Sequence, residues 1–467
     1  MDALLHNIAA VVGPGNVLTG DDVAARQVDW LSGERCRAGA IVRPGDTDEV
    51  AAVMRLCHAA RQPVVTHGGL TGLVHGGEAS PEELAISLER LTAIEALDPI
   101  GGTMTVQAGV PLQRVQEAAE AEGLQFPLDL GARGSCTIGG NIATNAGGVR
   151  VIRYGMMRQQ VLGLEAVLAD GSVVSSLNRM LKNNAGYDLK QLFIGSEGTL
   201  GIITRAVLKL QPRLPSEQTA LVACPDFDAL TGLLRHLGHH LGGALGTFEV
   251  MWKNHYRLLT EESGRHTPPL ALGAPYYVLV ESLGLDDARN AAQLGEALET
   301  ALAAQLISDA VVAHSATQRD ALWAIREDIE GLIQALSPLF TFDISLPIPE
   351  MAAYVEGLEA ALSHAWPAGR LVVFGHLGDG NLHVSVSVGS AGAEARRSVE
   401  RLVYAPLARL GGSVSAEHGI GLEKRGYLSL SRTPEEIALM RTLKQALDPY
   451  HLLNRHKVLP PAPEESP

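Results

Sequence analysis

Two large mixed domains, an α+β unit followed by an α/β unit, are what the sequence predicts, and three observations lead there. Its 467 residues exceed what one core holds at ~150 residues per domain. From Ala40 to Leu214 short β-branched runs alternate with helical stretches, and beyond residues 211–217 (QPRLPSE) apolar strands alternate with long Ala/Leu-rich helices. Fifty glycines, a larger share than the ~7% of ordinary proteins, gather in a few loops.

The elements follow in order. Residues 1–37 form a helical lead-in. The runs IVRP, PVVT, MTVQAG, LEAVLADG and GIITRAVLKLQP are strands, separated by helices over Thr47–Ala60 and Pro111–Glu122. The second has Pro in its first turn and Gly123 just beyond its end, the usual start and stop. The prolines of QPRLPSE mark the best domain boundary. After it, YYVLVESL, RLVVFGH and LHVSVSV are strands, with helices over Asp286–Ala304 and Glu350–Ser363. The tail PPAPEESP is a disordered end by composition, and no internal repeat is visible.

Composition excludes several classes. Thirty-seven basic against 52 acidic residues give a net charge of −15, with no basic block to neutralise a phosphate backbone, so nucleic acid is not an expected partner. With 46% apolar residues the chain is not disordered as a whole. No apolar run approaches the ~20 residues of a spanning helix, and MDALLHNIAAVVGPG lacks a signal-peptide pattern. A cytoplasmic protein, or one peripheral to the inner membrane, is expected. Cys36, Cys57, Cys136 and Cys224 show no C-x-x-C spacing, which fits a reducing compartment.

The glycines carry the first functional signal. Residues 68–77 (GGLTGLVHGG) and 131–148 (GARGSCTIGGNIATNAGG) follow extended segments, and Gly195, Gly198 and Gly201 lie between two β-branched runs. Chains without side chains at so many points let backbone N–H groups converge on an anion. One such loop would be turn-rich β structure; three together point to a ligand. No G-x-G-x-x-G, G-x-x-x-x-G-K-[ST] or G-x-S-x-G occurs, which argues against a Rossmann enzyme, a P-loop ATPase and an α/β-hydrolase. What remains is a dinucleotide-like site built from loops.

THGGLTGLVHGG, PLDLGARGSCTIGGNIATNAGGVRVIRYG, VLADGSVV, KNNAGYDLKQLFIGSEGTLGIIT, GHLGDGNLH and SAEHGIGLEKR occur in that order. Together they resemble the FAD-dependent D-2-hydroxyacid dehydrogenases of the vanillyl-alcohol-oxidase class, most of all the D-2-hydroxyglutarate branch, with the D-lactate dehydrogenase and glycolate oxidase FAD-subunit branches as cousins. The resemblance implies a two-part FAD-binding domain of the vanillyl-alcohol-oxidase (PCMH) type over 38–214. It further implies an α/β cap with an antiparallel sheet over 215–412, a segment 413–460 returning to the flavin, in which GSVSAEHGIG is a strand, and a disordered tail 461–467. The implied flavin contacts are His67, Gly68, Gly69, Leu70, Thr71, Gly72, Pro127, Leu128, Asp129, Gly134, Ser135, Gly139, Gly140, Asn141, Thr144, Asn145, Gly147, Gly148, Gly198, Ile202 and Asn454. Around Asn454 the usual Pro and its neighbour are replaced by Arg455 and His456. Covalent members of the class present His after the glycine pair; Leu70 has no nucleophilic atom, so the FAD is expected to be non-covalent.

His376 and His383 bracket LGDGN. If the flanking runs form a hairpin the imidazoles stand close, ~5 Å between Cβ atoms if directly opposed. Such a pair either hydrogen-bonds the loop or holds a dication. The resemblance favours the metal, zinc or a similar dication, with Glu417 as third ligand. His418 follows it, and the resemblance makes it the base for the substrate hydroxyl, against orienting Glu417. Arg326 either grips the substrate carboxylate or pairs with Glu330 at i+4; the resemblance favours the substrate. His239 and His240 have no carboxylate companion and are read as structural.

The expected reaction is oxidation of a D-2-hydroxy acid to the 2-keto acid, with electrons passed to an acceptor such as electron-transfer flavoprotein or a quinone. A catalytically silent flavin subunit and an O₂-using oxidase are the alternatives, and a homodimer is compatible with the sequence. In members acting on the five-carbon diacid, the positions of Thr341, Leu70, Glu330 and Ser385 usually carry Lys, Asn, Thr and Asn. The loss of those donors points to a substrate with one carboxylate and a small or apolar side chain.

Overall fold

The computed structural model describes residues 2–28 and 33–460. The tail read as disordered, 461–467, and residues 29–32 of the lead-in lie outside the described residues. Two compact units result: Met1–Gly148 with Tyr154–Arg213 and Glu417–Pro467, and Val149–Arg153 with Leu214–Ala416.

The first unit contains two principal sheets. In the four-stranded one, Val17–Leu18, Ala40–Val42, Leu84–Ser87 and Val64–His67 lie side by side, the last three parallel. Parallel strands are covered on both faces, which is why AIV and LAIS are buried at every position. The five-stranded sheet is antiparallel, in the order Ile94–Asp98, Thr103–Gln107, Ile202–Lys209, Val161–Val167, Val173–Ser176. The helix Thr47–Ala60 is capped by Asp46, whose side chain accepts from the Glu49 amide, and it buries Val50, Val53, Met54 and Cys57. That spacing places one apolar face on the core, worth ~1.5–3 kcal/mol per large side chain. The four cysteines are free and buried.

In the second unit seven antiparallel strands run in the spatial order Asp309–Val312, Ser216–Cys224, Tyr276–Gly284, Leu245–Trp252, Arg370–Gly375, Asn381–Ser387, Phe340–Ser345. One face carries Leu221, Leu279, Met251 and Phe374 and is covered by the helices Ala316–Glu327 and Ile329–Leu336 through Leu322, Ile325, Leu332 and Leu336. On the other face the helix Asp287–Ala303 is pinned by Asn290, bonded to Ser282 and Ser216.

Three local expectations are corrected. Gln211–Pro212, inside the expected linker, forms a short strand with Leu124–Gln125. The segment GSVSAEHGIG is irregular apart from a bridge between Ser413 and Ser345; Gly419 and Gly421 are left-handed, which breaks a strand. The hairpin around LGDGN forms, but His383 stands opposite Phe374, so the histidines are offset along one face rather than opposed.

Candidate active site

A cavity of about 370 Å³ opens in the first unit, walled by the 68–77 and 130–147 loops, the turn at Glu197–Gly201, Glu417, His418 and Asn454. The first loop leaves the carboxyl end of the strand Val64–His67, where α/β sheets usually bind ligands. Glycine is required where backbones meet. A Cβ on Gly69 would lie 2.2 Å from the Ser135 carbonyl oxygen, and one on Gly421 would lie 1.9 Å from that of Val74. Thr66 Oγ1 and Thr137 Oγ1 on this wall are buried without a hydrogen-bond partner, a cost of ~1–3 kcal/mol each unless a ligand supplies one. A glycine-lined cleft with two waiting hydroxyls fits FAD.

Of the expected flavin contacts, Gly68, Gly69, Leu70, Thr71, Gly72, Gly139, Gly140, Asn141, Thr144, Gly147, Gly198 and Asn454 line this cavity. His67, Pro127, Leu128, Asp129, Gly134, Ser135, Asn145, Gly148 and Ile202 stand off its wall. His67 is buried with Nε2 at 2.8 Å from the Gly77 carbonyl oxygen, tying the loop ends together. Burial pushes its pKa down to about 4, so the ring is neutral. Leu128 and Ile202 belong to the core; strand alternation puts Ile203 on the wall instead. Asp129 pairs with Arg133, and the Asn145 carboxamide accepts from the Arg158 amide.

Leu70 adopts φ 54°, a left-handed conformation that Asn tolerates better than Leu. Among the described wall residues the only histidine is His418; His75 is engaged with Glu78 at 2.5 Å. Acid precipitation should therefore release the yellow chromophore into the supernatant. Colour retained in the pellet would mean a covalent flavin.

The C-terminal segment is stitched into this wall. Asn454 accepts from the Thr66 amide at 2.9 Å and donates to the Glu197 carbonyl at 2.6 Å. Glu197, at φ 52°, accepts from the amides of Ile420 and Gly421 at 2.7 and 2.8 Å. Burial pushes the Glu197 carboxyl above its usual range despite those two amides. Glu417 Oε1 accepts from the Gly148 amide at 2.9 Å. The backbone carrying Glu417 and His418 is thus held on both sides.

In the second unit a row of polar groups crosses the helix-covered face of the sheet. Glu249, 1% exposed, accepts from Arg326 Nε at 2.9 Å and Nη2 at 2.7 Å through Oε2, and its Oε1 lies 2.6 Å from His376 Nδ1. Burial by itself would raise this carboxyl; His376 and Arg326 outweigh it and hold Glu249 below the usual range. Arg326 also lies over the Phe374 ring, 4.6 Å from its centroid. His376 Nε2 and His383 Nε2 are 3.3 Å apart, and His383 Nδ1 is 3.9 Å from Asp343. Two nitrogens bound to zinc at ~2.0–2.1 Å in a tetrahedral set stand ~3.3–3.4 Å apart. The pair fits a dication, with the Glu249 carboxylate hydrogen-bonded behind the His376 ring.

Arg326 is therefore paired with Glu249 and not with Glu330. The helix ends at Glu327 and a new one begins at Ile329 with Asp328 as its cap, so 326 and 330 do not share one helical face. Glu330 is exposed and accepts from Gln334. Thr341 is exposed on the edge strand opposite buried Ser385. His240 is exposed and stacks on His236.

Sequence reasoning missed Glu249, Glu281 and Asp343. Glu281 forms an ion pair with Arg150 at 2.6 Å and accepts hydrogen bonds from Trp323 Nε1 at 2.7 Å and Thr219 at 2.8 Å. A signal was available: each is a lone carboxylate within an apolar strand run, GTFEVMW, YYVLVESLG and FTFDIS. Carboxylates are almost never fully buried unless paired.

Comparisons with known proteins bear on both units. Residues 38–176 match the FAD binding domain family and residues 213–458 the FAD linked oxidases, C-terminal domain family. D-2-hydroxyglutarate dehydrogenase, mitochondrial, of Bos taurus is 40% identical over 450 residues, 96% of this chain and 82% of that one. D-2-hydroxyglutarate dehydrogenase of Xanthomonas citri pv. viticola is 42% identical over 435 residues, 92% and 91% of the two chains. The solved structure of p-cresol methylhydroxylase with substrate bound superposes with a TM-score of 0.73 at 15% identity, covering 98% of this chain and 97% of that one; it shares the fold.

Proposed function

Since the chain belongs to the FAD-dependent D-2-hydroxyacid dehydrogenases, we propose the finer reading that it oxidises a D-2-hydroxy monoacid with a small or apolar side chain, assisted by a dication. The observation that carries the dication is the 3.3 Å separation of the His376 and His383 Nε2 atoms. Glu417 is the third ligand on sequence grounds. When bound, FAD supplies the two-electron acceptor, and the dication supplies a Lewis acid that lowers the pKa of a bound hydroxyl. Arg326, with Nε and Nη2 held by Glu249, offers Nη1 to the substrate carboxylate. His418 takes the hydroxyl proton as the alcohol becomes a ketone. Electrons then leave to a protein or quinone acceptor. We place the enzyme in the cytoplasm or at the inner membrane surface; among the described residues no helix is long and apolar enough to cross a membrane.

The preference for a monoacid rests on missing donors. Thr341 supplies no charge and Leu70 no amide where members acting on the diacid usually carry Lys and Asn, and Arg326 is assigned to the first carboxylate. A second substrate carboxylate left unpaired would cost several kcal/mol. D-2-hydroxybutyrate should therefore exceed D-2-hydroxyglutarate in kcat/KM, and Thr341→Lys should move the ratio toward the diacid. A diacid preference above about tenfold in the unmodified enzyme overturns the monoacid reading.

A further inference from the structure

The buried carboxylate of Glu249 has no part in the reaction as described, yet it is bonded to two groups that do. We propose that Glu249 is a positioning residue that, through its two oxygens, sets both the donor nitrogen of His376 and the aim of Arg326. The inference rests on the dication reading above and deepens it.

The chemistry follows from what each group can donate. A carboxylate only accepts, so at 2.6 Å from Oε1 the ring nitrogen Nδ1 of His376 carries the hydrogen. The lone pair then resides on Nε2, the atom 3.3 Å from His383 Nε2. Without Glu249 the ring would be free to place its hydrogen on Nε2, where it could not bind a cation. The other oxygen, Oε2, takes Nε and Nη2 of Arg326, and Phe374 beneath the guanidinium closes one face. Three N–H groups are left for a ligand, two on Nη1 and one on Nη2, and their direction is fixed by the grip of Glu249 on Nε and Nη2. One side chain thus links cation affinity to the grip on the substrate carboxylate. Its strand, Leu245–Trp252, is buried at every position, which shields these bonds from bulk solvent.

The test uses the FAD-loaded chain and zinc competition against a chromophoric chelator. Glu249→Gln should weaken zinc by ~10–100-fold, the usual effect of losing a partner behind a metal-bound histidine, and raise KM for the hydroxy acid while leaving the flavin spectrum unchanged. Glu249→Leu, which has no acceptor, should fall at least as far. Arg326→Gln breaks the same ion pair but leaves Oε1 on His376, so it should lower the melting temperature and keep zinc affinity within about threefold. Equal losses in both single variants, or none in Glu249→Gln, overturn the proposal. Nitrogen NMR of histidine-labelled, chelated enzyme separates the two readings. Nδ1-protonated His376 in a chain that binds no zinc would refute the dication and uphold Glu249, whereas Nε2-protonated His376 would refute Glu249's role.

Discussion

Replacing His418 by Gln is expected to lower kcat by ~10²–10⁴, the usual worth of a positioned general base, with FAD content unchanged. His418 lies on the cavity wall. Its neighbour Glu417 is held by the Gly148 amide, and two residues on the other side Ile420 is held by Glu197. The imidazole therefore sits on clamped backbone. Gln keeps similar bulk and hydrogen-bonding capacity but cannot take up a proton, so binding survives and chemistry does not. Anaerobic single-turnover bleaching of the flavin by D-2-hydroxybutyrate reads the chemical step directly. A rate within about threefold of the parent enzyme would remove His418 from the role of base.

Replacing His383 by Ala should remove the dication and with it most of the turnover. One nitrogen of the 3.3 Å pair is lost, and Ala offers no substitute donor. Each ligand must be deprotonated to bind, so affinity in the parent enzyme should also fall on acidification. Metal analysis is expected to give one dication per chain in the parent and none in the variant, with kcat/KM down by more than about 10³-fold if the metal acidifies the hydroxyl. Exhaustive chelation should reproduce the loss, and added zinc should restore activity to the parent only. Full turnover of a metal-free parent enzyme would defeat the dication.

Much of the flavin half of the site is visible in the linear chain because its causes are local. A loop that packs backbone on backbone, as Gly69 does on Ser135, must be written in glycine, and the loops at 68–77 and 131–148 announce themselves. Helices are equally legible where a cap precedes an apolar stripe: Asp46 and Asp286 accept from Glu49 and Arg289, as the starts at Thr47 and Asp286 suggest. The failures are also instructive. The resemblance implies a strand over GSVSAEHGIG, but left-handed Gly419 and Gly421 overrule it. Ile202 and Ile203 are indistinguishable by type, and only the register of their strand decides which faces the cavity.

By itself the sequence determined the glycine loops, the capped helices and the alternating strands, and its family resemblance named candidate residues for FAD, a dication and a carboxylate. Which of those residues hold one another was decided only in three dimensions. Arg326 has an acidic candidate four positions away in Glu330, yet its partner is Glu249, 77 positions distant, and Glu249 in turn holds His376, 127 positions away. Nothing local encodes these bonds. They exist because antiparallel pairing sets Leu245–Trp252 beside Arg370–Gly375, and because a charge on a fully buried strand must find its counter-ions wherever neighbouring elements bring them.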